Sequence, residues 1–543
     1  MTASDTARDR ARYTKFMMLA AASQMARKNA MLDVLYWFFG LVLLVTMTVI
    51  FCRLVFALPK SKARSDTIAK PAPGSGRLAV ALSKSRPGHE GLTGIAPLEE
   101  GANAFAARVS LADAAISSID AQYYIWHNDL TGYLLLDALQ RAADRGVRVR
   151  LLLDDNGVSG LDCELAHLDA HPNIEVRLYN PFNLRRLKRL SYGFDFFRLN
   201  RRMHNKSFTV DGHATILGGR NVGDEYFGAG TSALFVDLDV LAAGKAVSDV
   251  SADFDRYWAA PSAHPAGAIL GKIKSENPIC EGLARLRKNP RPNAYRELHE
   301  TPDIVEALAQ GDLELEWTTA LLVSDDPVKG EGAVPREDLL AVRLMKAVGE
   351  IQSRFDGISP YLVPSRAGVR AFKALKKRGV AVRMLTNSLE ATDVLPVHAG
   401  YAKYRKRMLR AGVKLFELRS QAAPNPPSKM FGHFGSSGSS LHAKTFAVDG
   451  KRIFVGSFNF DPRSTTLNAE MGLLINSERM AKGIHEAFDR ELAGLAWRVE
   501  LNNGHPAWID LTTGKKTGEE PGSNTFKRMA LAVIGWLPVE WLL

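Results

Sequence analysis

The chain reads as an α/β protein of two lobes built on one plan, sharing a single site and preceded by a membrane-spanning helix. A 19-residue stretch without charge, Val34 to Cys52, predicts the helix. A helix-to-strand pattern that occurs twice, and a spaced set of His, Lys, Asp, Gly and Asn that also occurs twice, predict the lobes. At 543 residues the chain exceeds what one hydrophobic core organises, so two packed units are expected on length alone.

Residues 1–33 form a basic N-terminal segment. Residues 34–58 form the expected transmembrane helix, because VLYWFFGLVLLVTMTVIFC continues past Arg53 as LVFAL and is long enough for a hydrocarbon core. The 33 preceding residues and the long apolar core argue against a cleaved signal peptide. Arg27 and Lys28 on one side are nearly balanced by Lys60, Lys62 and Arg64 on the other, so the positive charges do not orient the span. Residues 59–91, rich in Lys, Pro, Ala, Gly and Ser, read as a flexible tether.

The lobes follow at 92–300 and 301–500. In the first, LLLDALQRAADRGVRVRLLLDD runs as a helix to Gly146 and enters a strand. In the second, AFKALKKRGVAVRMLTN does the same at Gly379. Each offers a further strand, IEVRLYN or VKLFELR, and strands alternating with helices imply α/β sandwiches. Residues 501–543 end in FKRMALAVIGWLPVEWLL, which reads equally as an interfacial helix and as a helix closing the core.

The repeated set is MHNKSFTVDGHATILGGRN from Met203 and LHAKTFAVDGKRIFVGSFN from Leu441, placing His204, Lys206, Asp211, Gly218 and Asn221 in register with His442, Lys444, Asp449, Gly456 and Asn459. Strand alternation puts each His and its Lys on one face. Two imidazoles on opposite sides of a phosphorus atom divide a displacement between a nucleophile and a proton donor. Two lysines and two asparagine amides supply the positive field that metal ions supply in other phosphoryl-transfer sites. No cofactor or metal is called for, and the three cysteines, Cys52, Cys163 and Cys280, show no metal or redox spacing.

A nucleophilic imidazole needs a partner on its other nitrogen. Glu470, in LNAEMGLLI, suits that role, and aligning ALFVDLDVLA with it makes Asp237 the first-half counterpart, with Asp239 the competitor. Asp211 and Asp449 precede Gly in VDG, a turn signal that favours a structural role. Ser359, Tyr361 and Asn387 either line the pocket or pack the second half.

These residues resemble the paired HKD motifs of the phospholipase D superfamily, from about Leu92 to Glu500. AQYYIWHNDLTG, LVSDDPVKG and GSFNFDPRSTTLNAEMG further resemble bacterial cardiolipin synthases, nearest to their C-type branch. The resemblance implies a bilobal fold with one shared active site and a phosphohistidine intermediate. His204 is then the nucleophile, His442 the acid and base, Asp211 and Asp449 count with the catalytic residues, and Ser457 joins Asn221 and Asn459 on the phosphate. It implies phosphatidylglycerol as substrate, with phosphatidylglycerol or phosphatidylethanolamine as donor. The N-terminal segment, span and tether depart from the family's pattern, so location is not inherited from it; a single-pass place in a bacterial inner membrane is the expectation. Hydrolysis of phospholipid or nucleic acid phosphodiesters is the alternative. The net charge of +12 suits lipid and nucleic acid alike. The anchor, and the basic aromatic loop NLRRLKRLSYGFDFFRLNRRMH before the first motif, favour lipid over nucleic acid.

Overall fold

The computed structural model describes residues 3–59, 67–84, 87–229, 235–271, 275–287, 303–420, 440–537 and 540–543. The residues up to Leu58, with Asn183–Phe196, make one unit, and Pro59–Phe182 with Phe197–Leu543 make the other.

In the first unit the apolar run lies at the end of one continuous helix, Ala3–Val55, so the basic segment before it is helical too. At about 1.5 Å per residue it reaches roughly 80 Å, more than a bilayer core of about 30 Å requires. Among the described residues it is the helix long and apolar enough to cross a membrane, and its apolar window is unburied. The basic loop meets its C-terminal end: Arg53 Nε donates to Phe194 O at 2.8 Å and pairs with Asp195 at 3.3 Å, and Asn183 Nδ2 donates to Phe56 O at 3.0 Å.

The second unit holds two mixed sheets of matching order. The first runs Glu316–Thr318, Thr93–Leu98, Asp239–Gly244, Ala214–Gly218, Ser207–Val210, Ser118–Ile125, Arg148–Gly157, Ile174–Tyr179, Ala263–Pro265. The second runs Ala320–Ser324, Met471–Ile475, Arg452–Gly456, Thr445–Val448, Arg354–Ile358, Ala381–Asn387, Lys414–Leu418, Ala496–Asn502, His505–Asp510, Lys516–Thr517. Ser118–Ile125, Arg148–Gly157 and Ile174–Tyr179 of the first sheet run parallel, as do Arg354–Ile358, Ala381–Asn387 and Lys414–Leu418 of the second, joined by helices such as Leu130–Asp144 and Ser365–Lys377. Both helices hand over to their strand through a glycine at positive φ, Gly146 at 93° and Gly379 at 87°, a conformation that costs glycine nothing.

The lobe limits differ from those expected. Glu316–Thr318 pairs with Thr93–Ile95, so the first sheet reaches past residue 300, and the second sheet continues beyond 500 to Thr517. The tether is not free along its length. Thr67 O accepts from Arg150 Nη1 at 2.5 Å, Ala69 N–H donates to Asp255 Oδ2 at 2.9 Å, and Pro73 O contacts His213 Nε2 at 2.7 Å. Helix Arg77–Ser83 then buries Leu78, Ala81 and Leu82 against the first lobe. The strap is not legible in composition because most of its bonds are made by backbone, which any sequence offers, with Thr67 Oγ1 and Lys70 Nζ adding one each.

The two sheets share the apolar layer between them, formed by Leu217, Val240 and Ala242 of the first and Ala447, Val455 and Leu473 of the second. That layer fixes the lobes so that both repeated motifs open on one seam. A short parallel pair, Phe235–Val236 with Ser440–Leu441, crosses it.

Candidate active site

Each histidine stands just before its strand, in an extended segment that pairs with the other lobe. His204 N–H donates to Ala469 O at 2.7 Å, and His442 N–H donates to Val236 O at 2.8 Å. Each imidazole therefore lies beside the acid of the opposite half. His204 Nδ1 meets Glu470 Oε2 at 2.8 Å, and His442 Nδ1 meets Asp237 Oδ2 at 2.5 Å. The order of the sequence suggested a carboxylate from within each half; the structure crosses them, because backbone pairing across the seam carries the histidine past its own acid. With Nδ1 held by a carboxylate, Nε2 is the nitrogen of each ring left for chemistry, and that of His442 lies 3.2 Å from Lys444 Nζ.

The register settles the alignment of the acids. Gly219 N–H bonds Leu238 O at 3.2 Å, and Ser457 N–H bonds Met471 O at 2.9 Å, so Leu238 matches Met471 and Asp237 matches Glu470. Asp239 is engaged elsewhere, with Arg108 at 2.8 Å. The two copies differ at Gly219 and Ser457 for a reason. A Cβ at 219 would stand 2.0 Å from Asp237 Oδ1, whereas Ser457 Oγ donates to Glu470 Oε2 at 2.5 Å. The Ser457 hydroxyl, expected on the phosphate, is thus occupied in fixing the acid behind His204.

Lys206 Nζ donates to His204 O at 2.6 Å, and Lys444 Nζ donates to His442 O and lies 2.9 Å from the ring's Nδ1. Asn221 is held by Ile125 N–H at 3.2 Å and by Tyr226 Oη at 3.0 Å, while the buried Asn459 Oδ1, an acceptor, has no protein partner. Rings close the site: Tyr124 lies edge-on to His204 at 4.9 Å, Tyr226 edge-on to His442 at 5.0 Å, and Phe235 stacks on His442 at 5.1 Å.

Burial governs the charges. It pushes the His204 pKa down to about 4, with Lys206 and Lys444 adding to the effect and Glu470 opposing it. Burial and Lys444 lower His442, and burial lowers both lysines, Lys206 well below the usual range. Burial alone would raise the two acids. Lys444 and His442 instead hold Asp237 at about 2, and His204 with Lys206 lowers Glu470. The resting site is therefore two neutral imidazoles on ionised carboxylates, one of them fit to attack at once. A phosphodiester anion would return affinity for protons to His442 and the lysines, as an opposite charge does.

Asp211 and Asp449, counted with the catalytic residues by the motif, lie at the far end of their strands, and the structure corrects that role. Both sit at positive φ in the VDG turn. The Asp211 carboxylate accepts from the N–H groups of Ile116, Ser117 and Ser118 at 2.7 to 3.0 Å, and Asp449 does the same for Gln352, Ser353 and Arg354. Neither reaches a histidine. Replacing Asp211 by Ala should therefore cost roughly 2–4 kcal/mol of stability, as several charge-assisted bonds are lost at once. A thermal scan should show the melting point falling by several degrees, while turnover by the folded fraction stays within about threefold.

Two residues go beyond the motif. Asp154 Oδ2 accepts from Met203 N–H at 2.9 Å, and Asn387 brackets Leu441 through N–H at 2.9 Å and C=O at 3.0 Å. Each stands eight residues past its repeated glycine, Gly146 or Gly379, and grips the residue before the histidine. That shared offset was readable in the sequence, and it places Asn387 as a support of the backbone. Ser359 Oγ supports Phe460, accepting from its N–H at 3.3 Å, and Tyr361 Oη donates to Asp393 at 2.8 Å. His127, Asp129 and Glu225 bring three possible metal ligands together, but Asp129 accepts from the Gly132 and Asp224 amides and Glu225 pairs with His127 at 3.0 Å.

Two equivalent α/β lobes that lend a His–Lys pair each to one seam, with the acids crossed, define a protein of the phospholipase D-like class. A family model described as cardiolipin synthase, phospholipase D-like domain, matches residues 109–258 and again 344–492. Cardiolipin synthase C of Escherichia coli (strain K12) is 48% identical over 471 residues, covering 86% of this chain and 100% of that protein. Cardiolipin synthase A of Pseudomonas entomophila (strain L48) is 27% identical over 72% of this chain and 66% of that one. A crystal structure of phosphatidylserine synthase from Haemophilus influenzae Rd KW20 covers 86% of this chain and 100% of its own at a TM-score of 0.52 and 15% identity, a likeness of fold. The chain belongs to the cardiolipin synthase family. The family and the exposed N-terminal helix together mark it as a membrane protein.

Proposed function

We propose that the chain is a phosphatidyltransferase that makes cardiolipin by double displacement at the seam. The crossed His–carboxylate pairs carry this reading, because they leave two Nε2 atoms, both oriented, for one phosphorus. His204 Nε2 attacks the phosphorus of phosphatidylglycerol or phosphatidylethanolamine. The bond to the headgroup oxygen breaks, and His442, protonated once the phosphodiester anion is bound, delivers the Nε2 proton to it, so glycerol or ethanolamine departs and His442 is left neutral. The free glycerol hydroxyl of a second phosphatidylglycerol then gives its proton to His442 and attacks the phosphohistidine. The P–N bond breaks, cardiolipin forms, and His204 is returned neutral.

Glu470 holds the His204 tautomer and offsets the cation formed on attack, and Asp237 does so for His442. Lys206, Lys444 and the Asn459 amide face the non-bridging oxygens, with Asn221 bracing the opposite wall. The basic loop against the end of the N-terminal helix supports a headgroup-level position, and that helix supports a single-pass anchor in a bacterial inner membrane.

The full-length protein in vesicles of labelled phosphatidylglycerol, with and without phosphatidylethanolamine, should yield labelled cardiolipin on lipid chromatography. Side-chain cations supply the positive field, so a chelator should leave the rate unchanged. Phosphatidic acid as the sole product would replace transfer with hydrolysis. Activity lost to a chelator and restored by a divalent cation would overturn the mechanism.

A further inference from the structure

The C-terminal helix Thr525–Trp536 is apolar on both faces, and the protein covers one of them. Asn524 caps it, accepting from Lys527 N–H at 2.8 Å. Ala530, Leu531 and Ile534 are half-buried on the side that packs along helix Leu395–Arg410. Beyond it the chain end is pinned: Tyr404 Oη donates to Glu540 at 2.5 Å, and Arg463 donates to the carbonyls of Leu542 at 3.1 Å and Leu543 at 2.7 Å. The helix is therefore docked in place.

Its other face carries Phe526, Met529, Val533 and Trp536, at i, i+3, i+7 and i+10, with exposures of 78, 62, 62 and 86%. Helices apolar all round are covered on both sides, and a contiguous row of large apolar side chains marks a contact surface. The surrounding charge identifies the cover. Arg528 flanks the row, and the adjoining helix exposes Lys403, Arg407 and Arg410, while neither helix contains an acidic residue. Glu540 and Glu520 are engaged by Tyr404, His398 and Arg405 of that helix, and apolar side chains beside the remaining positive charge, with a tryptophan closing the row, match the boundary of an anionic bilayer.

We propose that helix Thr525–Trp536 is a second membrane contact, lying in the interface with Phe526, Met529, Val533 and Trp536 among the upper acyl chains. It connects to the second lobe through its neighbours. Helix Leu395–Arg410 follows Asp393, the partner of Tyr361, and Arg463 lies four residues past Asn459. The contact thus sets the pose of the second lobe over its substrate, a task distinct from anchoring.

The test uses the full-length protein in phosphatidylglycerol-containing vesicles with bromine-labelled acyl chains. Bromolipid should quench a tryptophan component that the Trp536→Phe variant lacks. A Met529→Ser/Val533→Ser variant should turn over vesicle substrate roughly tenfold more slowly, as the lost apolar contact implies. It should match the parent chain within about twofold on substrate dispersed in detergent, where no bilayer surface has to be engaged. Absence of Trp536-dependent quenching would overturn the proposal. So would an equal loss in detergent, which assigns the helix to the fold, or a fall in particle mass by light scattering in either variant, which assigns the face to a second copy of the chain. The inference rests on the lipid reading only for the choice of vesicle. A chain that made no cardiolipin in either medium would refute that reading and leave the quenching result standing.

Discussion

A His204→Ala chain should form no cardiolipin above background, a loss of roughly 10⁵-fold or more, because the covalent route closes when the nucleophile is absent. His442→Ala should reduce turnover comparably but fail at another point. With His204 intact and held by Glu470, attack on a donor with a good leaving group, such as a p-nitrophenyl phosphodiester, needs no proton from His442. A burst of leaving group, at most one per enzyme, should therefore survive in His442→Ala and vanish in His204→Ala. Stopped-flow absorbance reads both. Equal bursts in the two variants would contradict the division of labour.

Glu470→Gln keeps the shape of the acid and removes its charge. Loss of a carboxylate behind a catalytic imidazole costs about 10²- to 10⁴-fold, since the ring loses both its tautomer and the counter-charge for the cation it becomes. The loss should fall on formation of the phosphohistidine, resolved by rapid quench. Asp237→Asn should impair the proton steps instead, and so lose most with poor leaving groups. The pH profile carries the same signature. Protonation removes the attacking lone pair of His204, so kcat/KM declines on the acid side only as the pH approaches about 4. In Glu470→Gln burial and the lysines still depress the ring while the anion that opposed them is gone, which moves the acid limb lower still.

Much of this was legible in the sequence because repetition is a strong signal. The offsets that pair His204 with His442 also align the strands, and the matched glycines 146 and 379 mark the same joint in each lobe. The exchange of acids was not legible. Offsets along a chain relate Glu470 to His442, and only the pairing of His204 with Ala469 across the seam shows that Glu470 serves the other histidine. The role of Ser457 was hidden for the same reason: a hydroxyl beside Asn459 suits a phosphate, until the carboxylate behind it is known to lie 2.5 Å away. Asp211 and Asp449 illustrate the reverse case, in which local turn chemistry gave the sounder guide than the motif, since VDG already described a left-handed bend that ties down neighbouring amides. The strap at 67–76 was not legible because backbone carbonyls and amides make most of its bonds, and no pattern of side chains announces them.

The crossed site with His204 as nucleophile is tested most directly by trapping the intermediate. Full-length protein mixed with labelled phosphatidylglycerol, quenched in base and digested, should yield one phosphatidyl-modified peptide, carrying the label on His204 in an acid-labile bond. The label on His442, or a chain that makes cardiolipin with no label retained at any quench time, would contradict the account.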